Sequence, residues 1–200
     1  LKVVNDSSAV YEYDDVGNLL SISCQDIKKL PPILNSASPD VIFKNEFITT
    51  ASIAISGENL ITTENIIPGN ANVSISNFEA TDTAITATIT INQDALLGGT
   101  TFSVVTLYGS ASIPVDIAEL NFEPSQTGAT VGSSIDVSAS IEGLSRDFNV
   151  NLNNQNPDII SAPQSITIPF GGRATFQVTG LKEGTGVITA GNSGVSVYVS

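Results

Sequence analysis

An unbroken alternation of apolar and polar residues, Ile85-Thr86-Ala87-Thr88-Ile89-Thr90-Ile91, constrains this 200-residue chain most strongly. Successive side chains of a β-strand point to opposite faces, so the pattern predicts a strand whose Ile85, Ala87, Ile89 and Ile91 face a core. Helical periodicity finds little support, and only residues 92–97 suggest a single helical turn. The chain is therefore predicted to be all-β. Similar alternations, separated by glycines that indicate turns, occur at 52–55, 71–75 and 101–105.

The last part of the chain shows the same kind of alternation between apolar and polar residues, with a different order of strands. About seven short strands in some 80 residues, separated by turn signals, are typical of an immunoglobulin-like sandwich. We therefore predict two tandem immunoglobulin-like β-sandwiches, at 31–117 and 118–200, which meet near Ile117–Ala118 through a short, semi-rigid junction. The strands of the second are expected near 119–122, 134–141, 148–152, 165–168, 173–179, 186–190 and 195–199.

Residues 1–28 predict a short β-hairpin that precedes the sandwiches. Tyr11 and Tyr13 are two residues apart and so share one face of a strand. Asp14, Asp15, Gly17 and Asn18 favour a turn, after which 19–22 resumes an extended path.

The same hairpin segment, Tyr11-Glu12-Tyr13-Asp14-Asp15-Val16-Gly17-Asn18-Leu19-Leu20, resembles one YD repeat of Rhs-type bacterial surface and toxin-delivery proteins. The resemblance covers about a dozen residues and fills nearly every defining position. It implies that the hairpin belongs to a longer array, because one hairpin is not stable by itself.

Two further resemblances cover most of the remaining chain. Residues 31–117 are similar to IPT/TIG domains through Pro32-Ile33, Ser38-Pro39 and the element Gly57-Glu58-Asn59-Leu60. The glycines usual after the Ser-Pro pair are replaced here by residues 43–47. Residues 118–200 resemble bacterial Ig-like (Big-type) domains through Val131-Gly132, through 166–172, and through 186–190 leading into 195–199. These resemblances imply sandwich folds and specify no ligand.

Charge and composition exclude several kinds of partner. Twenty acidic and 7 basic residues give a net charge of −13, so nucleic acid and anionic membrane surfaces are not expected to bind. No apolar run approaches the roughly 18 residues of a membrane span, so no direct membrane insertion is predicted. The single cysteine excludes an internal disulfide, which favours a bacterial protein. Because Met is missing even at position 1, we expect a piece of a longer or processed chain, with any export signal upstream of Leu1.

No catalytic residue is assigned. The chain has no His to activate a Ser or Cys nucleophile, and Cys24 is interpreted as structural. Asp14 and Asp15 would diverge on an extended backbone. Glu119 and Glu123 share a strand face, but an acid–base pair also needs a cleft, which small sandwiches rarely provide.

No metal or cofactor site is assigned either. Zinc is excluded by the lack of His and of paired Cys. Calcium needs several converging oxygens, and its two candidate stretches lack a recognised loop spacing, so ordinary turn roles are favoured. These stretches are Asp14, Asp15 and Asn18, and Asn153, Asn154, Asn156 and Asp158.

Aromatic residues offer one candidate for stacking on a ligand. Phe170, between Pro169 and Gly171, is the best candidate for an exposed ring, although packing in a core or hinge is favoured for it. Five others are predicted to be core residues: Phe78, Phe102, Phe122, Phe148 and Phe176.

The leading function hypothesis is a non-catalytic spacer or adhesion module of a large exported bacterial surface protein, located extracellularly or at the cell surface. Its partners would be other domains of the same chain. The alternative is a glycan- or protein-binding accessory module attached to a carbohydrate-active enzyme, with the partner held by loops or strand edges. Fold alone does not separate the two, because sandwiches support many functions.

Overall fold

The computed structural model describes residues 7–13, 19–26, 29–45 and 47–200, and all regular secondary structure in these ranges is β. The predicted hairpin is present as β1 (Ser7–Tyr13) and β2 (Leu19–Asp26). The two strands pair antiparallel with Tyr11 opposite Ile22. The turn expected at 14–18 lies outside the described residues. The segment 92–97 forms a hydrogen-bonded turn, in which Ala95 N donates to Asn92 O at 3.0 Å, and no helix.

The first sandwich contains two four-stranded sheets. One has the order β3-β5-β8-β7 and the other the order β4-β10-β9-β6. All pairs are antiparallel except β4 with β10. The strands are β3 (Ile33–Ser38), β4 (Val41–Phe43), β5 (Thr49–Glu58), β6 (Thr63–Pro68), β7 (Val73–Ala80), β8 (Ala84–Ile91), β9 (Gly98–Thr106) and β10 (Gly109–Glu123).

The core of this sandwich lies between the two sheets and is rich in isoleucine. Ile85, Ala87, Ile89 and Ile91 of β8 are all buried, as the alternation predicts. Phe102 of β9 is fully buried against them.

The second sandwich follows the same plan. One sheet has the order β10-β12-β17-β15, and the other the order β11-β19-β18-β14, with β13 paired to β16 beside them. The strands are β11 (Gln126–Ala129), β12 (Ser134–Glu142), β13 (Phe148–Asn151), β14 (Asn153–Asn154), β15 (Ile160–Ser161), β16 (Ser165–Ile168), β17 (Arg173–Gly180), β18 (Gly184–Ala190) and β19 (Ser193–Val199).

Valine is the most frequent residue in its core, which also contains an aromatic pair. The rings of Phe122 and Phe176 meet edge to face with centroids 6.2 Å apart. Edge-to-face contact is a favoured geometry because the positive ring edge meets the negative face.

Both sandwiches have the strand order of an immunoglobulin constant-type domain. When strands are lettered in sequence, four form an A-B-E-D sheet, and C, F and G form the other. In each sandwich the first strand divides at a proline, Pro39 or Pro124, and its second part crosses to pair in parallel with the last strand. The prediction of an all-β chain with two tandem immunoglobulin-like sandwiches after a short hairpin is therefore confirmed.

The Gly57-Glu58-Asn59-Leu60 element has a structural explanation. A side chain at Gly57 would place its Cβ 2.0 Å from the carbonyl oxygen of Ile33, so only glycine allows β3 to approach β5 here. Asn59 has φ +60° and donates its side-chain amide to Pro31 O at 3.1 Å. Leu60 then enters the core fully buried.

Candidate functional site at the junction of the sandwiches

One unbroken strand, β10, belongs to both sandwiches. Its residues Gly109–Ile117 pair with β9 of the first, and its residues Glu119–Glu123 pair with β12 of the second. Fifteen residues of strand span about 50 Å. No flexible linker separates the two cores, because the last strand of one sandwich becomes the first strand of the next.

Burial along β10 changes phase at the junction. Odd-numbered residues Ile113, Val115 and Ile117 are buried in the first core. Even-numbered Leu120 and Phe122 are buried in the second. Opposite faces of a strand carry alternate residues, so the two cores lie against opposite faces of β10.

Apolar contacts close the junction around β10. Val41, Ala118 and Leu144 form a small buried cluster of their own, with Phe43 and Phe148 packed against it. The two rings, one from each sandwich, meet edge to face at 5.8 Å. Beside them β4 runs parallel to β10, and Lys44 N donates to Ala118 O at 2.9 Å.

Two glycines of the second sandwich permit this close approach. Gly143 has φ +92°, and a Cβ there would lie 2.4 Å from Ile117 O and 3.1 Å from Gly98 N. Gly191 has φ +54°, and its Cβ would lie 3.0 Å from the Phe43 ring. Side chains at these positions would be strained by both the backbone conformation and the contact.

Polar contacts extend the junction to the surface. Arg146 of the second sandwich lies 3.0 Å from Asp40 through Nη2 and 3.0 Å from Asp116 through Nη1, and both aspartates belong to the first sandwich. Asn192 donates its side-chain amide to Phe43 O. Arg146 is 47% exposed, so solvent screens its ion pairs and each adds little stability by itself.

A shallow groove of about 310 Å³ follows one side of the junction. Its walls include Lys44 and Phe47 from the first sandwich, and Glu119, Asn121 and Ser193 from the second. The Lys44 ammonium is bonded to the carbonyl oxygens of Gln93 at 2.8 Å and Ala95 at 3.1 Å.

The two glutamates of β10 lie in different surroundings. Glu119 lines this groove, whereas Glu123 forms an ion pair with Arg173. They share a strand face, as predicted, but the structure does not bring them together over a common cleft.

In the predicted oxygen-rich turn near 153–158, asparagine side chains form hydrogen bonds with backbone groups. Asn154 donates to Ile160 O at 2.7 Å and accepts from Asn156 N at 3.0 Å. The Asn156 side-chain oxygen accepts from Val187 N at 3.1 Å. Within the described ranges, no group of three or more His, Cys, Asp or Glu side chains could hold a metal ion. The other stretch, Asp14, Asp15 and Asn18, lies outside the described residues.

Phe170 is the one aromatic for which the favoured interpretation is wrong. Phe170 is 64% exposed. It follows Pro169 in a turn, and its backbone N–H donates to the Asp147 carboxylate at 2.8 Å. The five phenylalanines expected in the core all pack there or against it. Cys24 lies opposite Ala9 in β2, and its structural role stays a prediction.

The junction residues Gly143, Leu144 and Arg146 were not predicted from the sequence. The phase change at Ile117–Ala118 was a detectable signal, since two adjacent apolar residues interrupt the alternation of β10. Among the described residues, no helix has the length and apolar character needed to cross a membrane.

Comparison with known proteins gives matches in solved structures alone. No protein-family model matches the chain, and no curated protein does. Domains 4 and 5 of the S-layer protein SbsC align with 52% of this chain and 66% of theirs, at 20% identity and a TM-score of 0.32. The D00-D0 domain of intimin aligns with 83% of this chain and 96% of its own, at 15% identity and a TM-score of 0.32.

A third similar structure is SGBP-B of a mixed-linkage glucan utilization locus of Bacteroides ovatus, in complex with a heptasaccharide. It aligns with 80% of this chain and 43% of its own, at 14% identity and a TM-score of 0.28. With TM-scores of this size, the fold assignment rests on the strand order of the chain itself.

Proposed function

We propose that this chain is a non-catalytic spacer module of a large exported bacterial protein, located extracellularly or at the cell surface. The observation that carries the proposal is β10, which passes through both sandwiches without a break. A shared strand fixes the second sandwich relative to the first in a way that a flexible linker does not. Such a unit is suited to hold other domains of the same chain, adhesive ones included, at a set distance.

We also propose the division of the chain into 1–28, 31–117 and 118–200. Separate buried clusters on either side of Ile117–Ala118 support the second boundary. The three resemblances given above, to a YD repeat, an IPT/TIG domain and a Big-type domain, belong to this proposal. The hairpin supports it further, because a two-stranded sheet needs neighbouring strands for stability.

Composition supports the absence of catalysis. The chain lacks His and has one Cys, so the commonest general base and the usual ligands of zinc are missing from its sequence. Its carboxylates at the junction are paired with Arg146 or are separated along β10.

A flexible insertion tests the spacer role. Six Gly and Ser residues placed between Ile117 and Ala118 interrupt β10 at the phase change, and a matched control carries the same insertion in the exposed turn after Gly171. Small-angle scattering of the full chain should show a broader distribution of interatomic distances for the first variant alone. Equal distributions for the wild type and the junction variant would contradict a rigid spacer.

Localisation is tested with antibodies raised against the chain. Intact bacteria that produce the parent protein should be labelled without permeabilisation. Labelling that requires lysis of the cells would overturn the surface location, whatever the scattering result.

A further inference from the structure

The groove at the junction combines an exposed aromatic residue with polar side chains that have no hydrogen-bond partner among the described residues, and we propose that it binds a neutral saccharide. This inference goes beyond the spacer role, because a spacer needs no ligand.

Phe47 provides the stacking surface. Phe47 is 74% exposed. Asn45 accepts a bond from Phe47 N at 2.8 Å, and the Lys44 ammonium ties the start of the loop to the turn at 93–95. Because the Phe47 N–H is already hydrogen-bonded, less freedom is lost when the ring binds a ligand, which favours affinity.

Polar groups for the sugar hydroxyls come from the groove residues of the second sandwich. Glu119 and Asn121 are two residues apart on β10, so they face the same side at a spacing of about 7 Å. Ser193 begins β19 beside them. The side chains of all three lack a hydrogen-bond partner among the described residues. A carboxylate accepts bonds from hydroxyls, whereas an amide both donates and accepts, and sugars offer both kinds of partner.

Other classes of ligand fit the groove less well. An anionic sugar would meet the free carboxylate of Glu119 and a chain with net charge −13, while the ammonium of Lys44 is already bonded to two carbonyls. A metal ion would lack ligands, since the described residues provide no group of three or more His, Cys, Asp or Glu side chains. Of the residues that line the groove, an apolar peptide would find only Phe47 as a large exposed apolar side chain, because Leu120 is buried. A neutral saccharide uses both the ring and the polar wall.

The test is a titration of the full chain followed by amide NMR shifts. The neutral probes are the hexasaccharides cellohexaose, xylohexaose, mannohexaose, maltohexaose and chitohexaose, and the anionic probe is hexagalacturonate. At least one neutral probe should shift the amides of Phe47, Asn121 and Ser193, with a dissociation constant of about 1 mM or tighter.

Variants then locate the site. Phe47→Ala should weaken binding roughly tenfold, since it removes the stacking surface, and Asn121→Ala should weaken it by a smaller factor. Both side chains are exposed, so the amide spectrum should otherwise be retained. Phe170→Ala is the matched control, because it removes an exposed ring outside the groove and should leave binding unchanged.

Several outcomes would overturn the proposal. These are no shift with any neutral probe, binding of hexagalacturonate alone, and affinity that survives Phe47→Ala but is lost in Phe170→Ala. A failure here leaves the spacer role intact, because the insertion experiment tests that role separately.

Discussion

The two sandwiches have the same strand order but differ at their edges and in their cores. In the first, the outer strand β7 is eight residues long and carries a bulge between Ser76 and Glu79. In the second, the corresponding strand is reduced to the two residues of β15. The second sandwich also takes its first strand from β10. The central strands therefore define the fold, and the edges are free to vary.

The cores differ in how they fill the same space. The first uses many isoleucines around the single buried ring of Phe102. The second uses smaller valines and closes the remaining volume with the Phe122–Phe176 pair. Because protein interiors are close-packed, each core should be sensitive to the loss of its own aromatic ring.

The largest expected effect is the loss of one buried ring from one core. Phe102→Ala should destabilise the first sandwich by about 3–5 kcal/mol, because it leaves a cavity at a fully buried position. Denaturant titration followed by amide NMR should show earlier loss of signals from the first sandwich. Phe176→Ala should produce the reverse order. A common midpoint for all amides in both variants would mean that the two cores unfold as one unit.

Substitution of a glycine at the junction should destabilise the protein more than substitution of a glycine in an ordinary turn, although less than the loss of a buried ring. Gly143→Ala should cost about 2–3 kcal/mol, because it adds a contact with Ile117 O to the strain of a positive φ. Gly132→Ala is the matched control. Its φ is +82° with nothing near the added Cβ, so about 1 kcal/mol is expected. Equal losses of stability for the two variants in thermal denaturation would show that the contact between residue 143 and Ile117 O is not tight.

The ion pairs should contribute less to the free energy of unfolding than the glycine contact does. Arg146→Gln removes two contacts between the sandwiches, whereas Arg173→Gln removes one within the second sandwich. Each should cost about 1 kcal/mol or less, since all these groups are at least partly exposed. Salt should reduce both effects, and only Arg146→Gln should shift amides on both sides of the junction. Amide shifts confined to the second sandwich would show that Arg146 does not contact the first sandwich in solution.

The smallest effect is expected at Phe170. Because the ring is exposed, Phe170→Ser should change the free energy of unfolding by no more than about 0.5 kcal/mol. A loss comparable to that of Phe176→Ala would show that the ring packs against a neighbour in solution.

Alternation predicted most of the fold, because long strands with one buried face have a strong period of two. It did not predict β3, β6 or residues 109–118 of β10, and it failed where strands are short. β4, β14 and β15 have two or three residues each, too few to show a period. The expected strand at 148–152 is interrupted at Leu152, where the chain changes its partner from β16 to β18.

The junction was only partly predictable. The boundary near Ile117–Ala118 follows from the pattern, but its contacts depend on residues distant in sequence, such as Phe43 with Phe148 and Asp40 with Arg146. Nothing local marks these pairs. The groove was not predictable for the same reason, because Phe47 and Asn121 belong to different sandwiches.

Residual dipolar couplings of the full chain test most directly whether β10 fixes the two sandwiches to each other. We predict that one alignment tensor fits the amides of residues 31–117 and 118–200 together, since both sandwiches share a strand. Two tensors of clearly different magnitude would show that the sandwiches reorient independently, and would contradict the rigid spacer.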